Sequence, residues 1–195
     1  MAAGKNAASD ILCSDYGFVA TDCDILVHSA IENAREKIFA AFGEIAAEKG
    51  INIKNSDGFV NRRELGRLIF PSPALVKKQE SIVFPETQKL IEKFIAENSG
   101  KDIVINATVL YKIEAIKLCD AVIFVDAPYI LRLLRARKRD NMSLSQIRQR
   151  FRAQKTLFLE YKQTGADIHR VWNFGTRKKL SEKLGIVLRN AVFRG

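Results

Sequence analysis

The chain is poor in cysteine, poor in acid, and without a long apolar run. Its three cysteines, Cys13, Cys23 and Cys119, are an odd number without metal-ligand spacing. That argues against a disulfide framework or a cysteine-based metal site, and inert thiols among apolar neighbours are expected instead. No stretch approaches the roughly 18 to 20 apolar residues of a membrane-spanning helix, and no apolar segment follows a basic start as in a secretion signal. A soluble, cytoplasmic protein with no membrane partner is the expectation. Asp plus Glu number 22 against 32 Lys plus Arg, a net charge of +10, so an anionic partner is expected. No internal repeat and no low-complexity tract interrupts the chain.

The make-up of the 195 residues, 47% hydrophobic and 28% charged, is that of one globular domain with subdomains. Residues 6–17, "NAASDILCSDYG", place Ala7, Ile11, Leu12 and Tyr16 at helical spacing and end on Gly17, a usual residue just past a helix. "FVATDCD" (18–24) reads as a short strand reaching two aspartates, with Asp22 and Asp24 at alternate positions and therefore on one side. "DIVINATVL" (102–110) and "AVIFVDAP" (121–128) are apolar runs of strand length, as parallel strands covered on both faces would be. "ADIHRVWNF" (166–174) is a further strand candidate. Helical patterns between these runs predict an α/β doubly wound sheet.

Two stretches are too long to be simple crossovers. Residues 25–100 are expected to form a helical subdomain: one or two helices in 24–50, one over 64–70 stopping at Pro71, and one from Pro85 to Gly100. Residues 129–160 predict two helices around "DNMS", with Ser143 or Ser145 capping the second. That stretch carries nine Lys or Arg (Arg132, Arg135, Arg137, Lys138, Arg139, Arg148, Arg150, Arg152, Lys155) against Asp140 and Glu160, seven of the ten net charges. A solvated helix face or a nucleic-acid patch would also be basic. However, no aromatic platform is interleaved with these charges, whereas arginine clusters suit the charge that spreads over a transferring phosphoryl group.

The opening "MAAGKNAAS" resembles the tail of a phosphate-binding loop, written G-x-x-x-x-G-K-[S/T], and the helix that such a loop needs follows at once. If Gly4 is the second glycine, the first is expected ahead of Met1, together with the strand that leads into such a loop. Asp22 and Asp24, at the C-terminal end of a strand, occupy the place where ligands bind in open α/β sheets. One carboxylate there could position a divalent ion and the other accept a hydroxyl proton. The alternative role of either aspartate is to cap a helix.

Together these pieces resemble the dephospho-coenzyme A kinase family over nearly the whole chain. Its Gly-Lys-Ser/Thr, helix and Asp-Ala-Asp correspond to Gly4-Lys5-Asn6 and Asp22-Cys23-Asp24, with His28 where the family often has His or Arg. Its Phe-Gly and Asp-Arg-x-x-Leu turn correspond to Phe42-Gly43 and "NRRELGRLIF" (61–70). Its lid pattern Arg-x-x-x-Arg-Asp is matched by Arg135 through Arg139-Asp140, and its Arg-x-x-x-Gln by Arg150 through Gln154. Its closing Ala-Asp and Asn-x-Gly are matched by Ala166-Asp167 and Asn173-Phe174-Gly175. This sequence departs in three places. Asn6 replaces the loop hydroxyl, Val83-Phe84-Pro85 replaces Leu-His-Pro, and 106–112, "NATVLYK", replaces an Asp-x-Pro-Leu-Leu-Phe-Glu segment, exchanging two carboxylates for Asn106 and Lys112.

The resemblance implies a three-layer α/β/α P-loop kinase fold, with core 1–24, 101–128 and 161–195, a substrate subdomain over about 25–100 and a lid over about 129–160. It implies ATP-dependent phosphorylation of the ribose 3′-hydroxyl of dephospho-coenzyme A, the last step of coenzyme A biosynthesis, with ATP and Mg²⁺. Implied catalytic residues are Lys5, Asp24, Arg139 and Arg135. ATP would lie on Ala2, Ala3, Gly4, Lys5, Asn6, Ala7, Asn173 and Gly175, and the acceptor on Asp22, Asp24, His28, Arg62, Phe84 and Pro85. Asn6 and Asp22 would hold the metal. No nucleic-acid partner is expected, and the chain would be a monomer or a weak homo-oligomer. The alternatives are another P-loop kinase of a small metabolite, or a non-catalytic relative that binds nucleotide or nucleic acid, which Asn6, Asn106 and Lys112 motivate.

Overall fold

Short-range chemistry sets where the elements begin and end. The computed structural model describes residues 1–140 and 142–191, with Asp140 lacking a described side chain; Asn141 of the "DNMS" turn lies outside the described residues. Helix α1 (Lys5–Tyr16) ends on Gly17 at φ 78°, whose N–H reaches the Cys13 and Leu12 carbonyls, the left-handed cap that glycine permits. Strand β1 (Val19–Asp22) leads into α2 (Cys23–Asn33), and Ala34 separates this from α3 (Arg35–Glu48). Asn61 caps α4 (Arg62–Ile69) and Ser72 caps α5 (Pro73–Glu97), both through side-chain oxygens.

Strand β2 (Ile103–Asn106) is followed by two 3₁₀ turns, Leu110–Lys112 and Glu114–Leu118, and by β3 (Val122–Asp126). Helices α6 (Tyr129–Asp140), α7 (Leu144–Ala153) and α8 (Leu157–Lys162) precede β4 (Ile168–Trp172) and α9 (Arg177–Ala191). Ser143 caps α7 in a full capping box with Gln146.

The strands form two pairs, β1 with β2 and β3 with β4. β3, within the apolar run 121–128, and β4, within the further strand candidate 166–174, run parallel, Val122 opposite Ile168 through Asp126 opposite Trp172. By contacts the chain divides into two compact units, Met1–Ala20 with Gly100–Asn106 and Glu114–Gly195, and Thr21–Ser99 with Ala107–Ile113. In the first, α1 and α9 pack Ile11, Leu12, Leu180 and Leu184 against Val104, Ile123, Val125 and Val171 of the strands. The hydroxyls of Ser14 and Ser181 and the Arg177 guanidinium converge on Asp15 and hold its carboxyl below the usual value, which ties α1 to α9 electrostatically. A second cluster joins α6 and α7 through Ala136, Ile147 and Phe151. In the other unit, α2 to α5 enclose Ile31, Ile38, Phe42, Leu65, Leu68 and Val83.

Three sequence expectations are corrected. The strand expected over 102–110 stops at Asn106, because Thr108 and Val109 enter a turn and then 3₁₀ geometry. No helix starts at Pro85. It lies inside the 25-residue α5, where its missing N–H affects the carbonyl of exposed Ser81, which water can reach. Buried Thr87 in the next turn bonds back to the Val83 carbonyl at 2.9 Å. Asp22 and Asp24 do not share a strand: Asp22 ends β1 as the N-cap of α2, and Asp24 stands in the first turn of that helix.

The three cysteines differ in burial: Cys23 is buried, Cys13 and Cys119 are half-buried. None is in a disulfide. Burial, and then the Asp120 charge, push the Cys119 thiol up, so it stays protonated and donates to the Ala115 carbonyl. No described helix is long and apolar enough to cross a membrane.

Candidate active site

The loop 1–4 is shaped by strain and by clamps. Ala2 takes φ 58° and Gly4, the N-cap of α1, takes φ 103°. The first costs an alanine roughly 1–2 kcal/mol, and the second is open to glycine. The Gly4 carbonyl already accepts the first helical bond, from Ala8 N at 3.0 Å, so the N–H groups at the start of α1 converge with the positive end of the helix dipole.

Asn173, at the end of β4, donates from Nδ2 to the Ala3 carbonyl at 2.8 Å, and its own N–H donates to the Asp126 carbonyl at 2.6 Å. Arg135 of α6 spans the same two segments, reaching the Ala3 carbonyl at 3.4 Å and the Asn173 carbonyl at 3.3 Å. Arg132 donates to the Met1 carbonyl at 3.0 Å. A Cβ at Gly4 would run into the Asn173 side-chain amide. Gly4→Ala is therefore expected to cost about 2 kcal/mol, seen as a Tm lower by roughly 4–8 °C; an unchanged melting curve would show that the loop yields freely.

Lys5 and Asn6 open α1, and both are tied to β2. Lys5 Nζ donates to Asn106 Oδ1 at 2.5 Å, and Asn106 Nδ2 donates to Asn6 Oδ1 at 3.3 Å. Asn106 is only 7% exposed. Because its amide is neutral, Asn106 holds the Lys5 ammonium at the loop without adding a charge of its own. Ala2, Ala3, Gly4, Lys5, Asn6, Asn106, Arg135 and Asn173 thus form one constellation, with Ala7 on the next exposed position of α1 and Gly175 two residues beyond Asn173. Arg139 lies one turn further along α6 and is exposed.

Phe151 and Phe158 stand among the arginines in sequence, yet neither offers a bare stacking face. Phe151 is buried under Arg132 and Tyr129, and Phe158 packs on Phe124 and Arg170.

The helical unit contains a cleft of about 760 Å³ lined by His28, Ser29, Glu32 and Asn33 of α2, by Asn55, Phe59, Val60 and Asn61, and by Arg62 and Arg63 of α4. A tight turn builds its outer wall. Asn55 N donates to the Phe59 carbonyl at 2.9 Å, and Glu32 accepts from Val60 N at 3.2 Å. The Glu32 carboxylate is therefore partly spent on the wall, while Arg62, Arg63 and His28 are exposed. His28 and Arg62, singled out in the sequence, meet here. Phe84 and Pro85 do not line this cleft: both sit on α5, one half-buried and one exposed. Asp22 accepts from Asp24 N at 2.9 Å, and Asp24 is exposed.

Ser29, Asn33, Asn55 and Arg63 were not singled out from sequence. The spacing 28, 29, 32, 33, which puts four polar groups on one helical face, was the available signal. Among the described residues no group of three His, Cys, Asp or Glu is arranged to hold a metal ion.

Comparison with known proteins identifies the family. The sequence model of the family described as dephospho-CoA kinase matches residues 1–169. A dephospho-CoA kinase of Treponema denticola is 36% identical over 93% of this chain and 82% of its own length, and one of Treponema pallidum is 32% identical over 95% and 89%. Among solved structures, TT1252 from Thermus thermophilus superposes with a TM-score of 0.77 at 26% identity, covering all of this chain and 94% of its own. A dephospho-CoA kinase from Campylobacter jejuni shares the fold at a TM-score of 0.60 and 20% identity, covering 98% and 93%. With a family match over most of its length and relatives above 30% identity, the chain belongs to the dephospho-CoA kinase family.

Proposed function

We propose that this chain transfers the γ-phosphoryl group of ATP to the ribose 3′-hydroxyl of dephospho-CoA. The observation that carries the reading is the clamped loop at the start of α1, where Gly4, Lys5, Asn173 and Arg135 meet. In the reaction the 3′-oxygen forms a bond to the γ-phosphorus, the bond from that phosphorus to the β,γ-bridging oxygen breaks, and ADP leaves. The hydroxyl proton passes to a carboxylate. Such transfer asks the protein mainly to position groups and stabilise charge.

Lys5 and the N–H groups over Ala2 to Ala7 hold the β- and γ-phosphates, and Asn173 and Gly175 border the nucleotide. Asp24, exposed in the first turn of α2, takes the hydroxyl proton. Arg139 closes over the transferring group, with Arg135 as the second cation. His28 and Arg62 grip the diphosphate arm of the acceptor in the α2–α4 cleft, while Phe84 and Pro85 offer apolar surface to its pantetheine end. Mg²⁺, arriving on the triphosphate, would neutralise part of its charge, and Asp22 is the carboxylate this chain offers it. Asn6 does not fit as its ligand, because its amide oxygen faces Asn106. The cytoplasm is the proposed compartment, and a monomer or weak homo-oligomer the proposed state.

ADP release coupled to an absorbance readout tests the reading, with and without dephospho-CoA. Acceptor-dependent ADP production is expected. Arg62→Ala is expected to raise the KM for dephospho-CoA about tenfold, the loss of one charge-assisted bond, with the KM for ATP unchanged. No acceptor-stimulated turnover in the wild type would overturn the reading.

A further inference from the structure

Asn106 dictates which way round Asn6 faces. A lysine ammonium can only donate, so the Asn106 atom 2.5 Å from Lys5 Nζ is its oxygen. Its other terminal atom is then the NH₂, and this lies 3.3 Å from the Asn6 side chain. Two donors do not bond, so Asn6 meets Asn106 with its oxygen and turns its own NH₂ away. Burial holds Asn106 in place, while Asn6 is exposed on the first turn of α1.

We propose that Asn6 presents its NH₂ to a phosphate oxygen of the nucleotide, acting as an anion donor where the family's hydroxyl would serve a metal, and that Asn106 is the positioning residue that enforces this orientation. The inference rests on reading the loop as the ATP phosphate site and extends it. Lys5, the backbone N–H groups and the Asn6 NH₂ are then all donors, a set matched to bare phosphate oxygens. Phosphate recognition at the loop should depend less on a divalent ion than a hydroxyl at position 6 would make it.

Equilibrium titration of ATP, once in excess EDTA and once with Mg²⁺, separates the possibilities in wild type, Asn6→Ala, Asn6→Thr and Asn106→Asp. Asn6→Ala is expected to weaken metal-free ATP about tenfold, the loss of one bond to a charged acceptor. Asn6→Thr restores a metal-ligating hydroxyl and should move the preference about tenfold toward the Mg²⁺ complex. Asn106→Asp cannot donate to Asn6, so Asn6 is released to turn its oxygen outward and the preference should move the same way. The proposal is overturned if Asn6→Ala weakens only the Mg²⁺ complex and leaves metal-free binding intact. Wild type that binds ATP in neither condition would sink the phosphate-site reading itself. Melting curves accompany the titrations. Asn6 is on the surface, so its two variants decide the matter even if Asn106→Asp unfolds.

Discussion

Lys5→Ala is expected to lower kcat by roughly 10² to 10³, the range lost when a preorganised donor at a charged transition state is removed, about 3–4 kcal/mol. The reason lies in how Lys5 is held. Asn106 accepts from Nζ and holds it at the loop, so the ammonium is in place before the nucleotide arrives and little of the transition-state stabilisation is spent on reorienting a flexible chain. Dephospho-CoA affinity, measured directly, should change little, because the helical unit's cleft is built from other residues. A loss of less than tenfold in kcat would show that the backbone N–H groups and the arginines carry the phosphoryl charge without it.

Asp24→Asn is expected to cost at least roughly a hundredfold in kcat, the contribution of a general base. Asp24 is exposed and the exchange is nearly isosteric, so the folded state should persist and the loss should be one of rate. Asp22→Ala provides the contrast. Asp22 caps α2 by accepting from Asp24 N, so its loss should appear as about 1 kcal/mol of stability, together with whatever it contributes at the phosphates. If Asp24→Asn turns over like wild type while Asp22→Ala does not, the roles of the two carboxylates are exchanged.

The sequence carried much of this, and it failed where distant partners decide. The apolar run at 121–128 announced β3, because a strand covered on both faces needs apolar residues throughout, while β4, with His169 and Arg170 in it, was legible only as a further strand candidate. Gly17 and Ser143 marked a helix end and a helix start through local chemistry alone. Pro85 misled, since proline is at home in a first helical turn and only packing along α5 shows that this one is interior. Asp22 and Asp24 were open to two readings, both in a strand or one capping a helix, and the structure takes the second: Asp22 ends β1 and caps α2, which puts Asp24 in the helix.

Within the site, Gly4-Lys5 and Asn173 were legible as motif fragments, but their mutual clamp was not. Asn106 was visible as a departure from the family pattern, yet its link to Asn6 joins residues 100 positions apart. The cleft wall at Glu32 and Val60 is likewise a long-range bond.

The clamp between Asn173 and Ala3 spans 170 residues of chain, which has a consequence for biosynthesis. Closing so long a loop is entropically costly and comes late in folding. A growing polypeptide makes its Gly4-Lys5 segment long before residue 173, so the bond that shapes it must wait until the intervening chain has been added. The nascent chain therefore carries the Gly4-Lys5 loop unclamped until Asn173 has been made, and on the proposed reading ATP binding reports on a chain in which that clamp has closed.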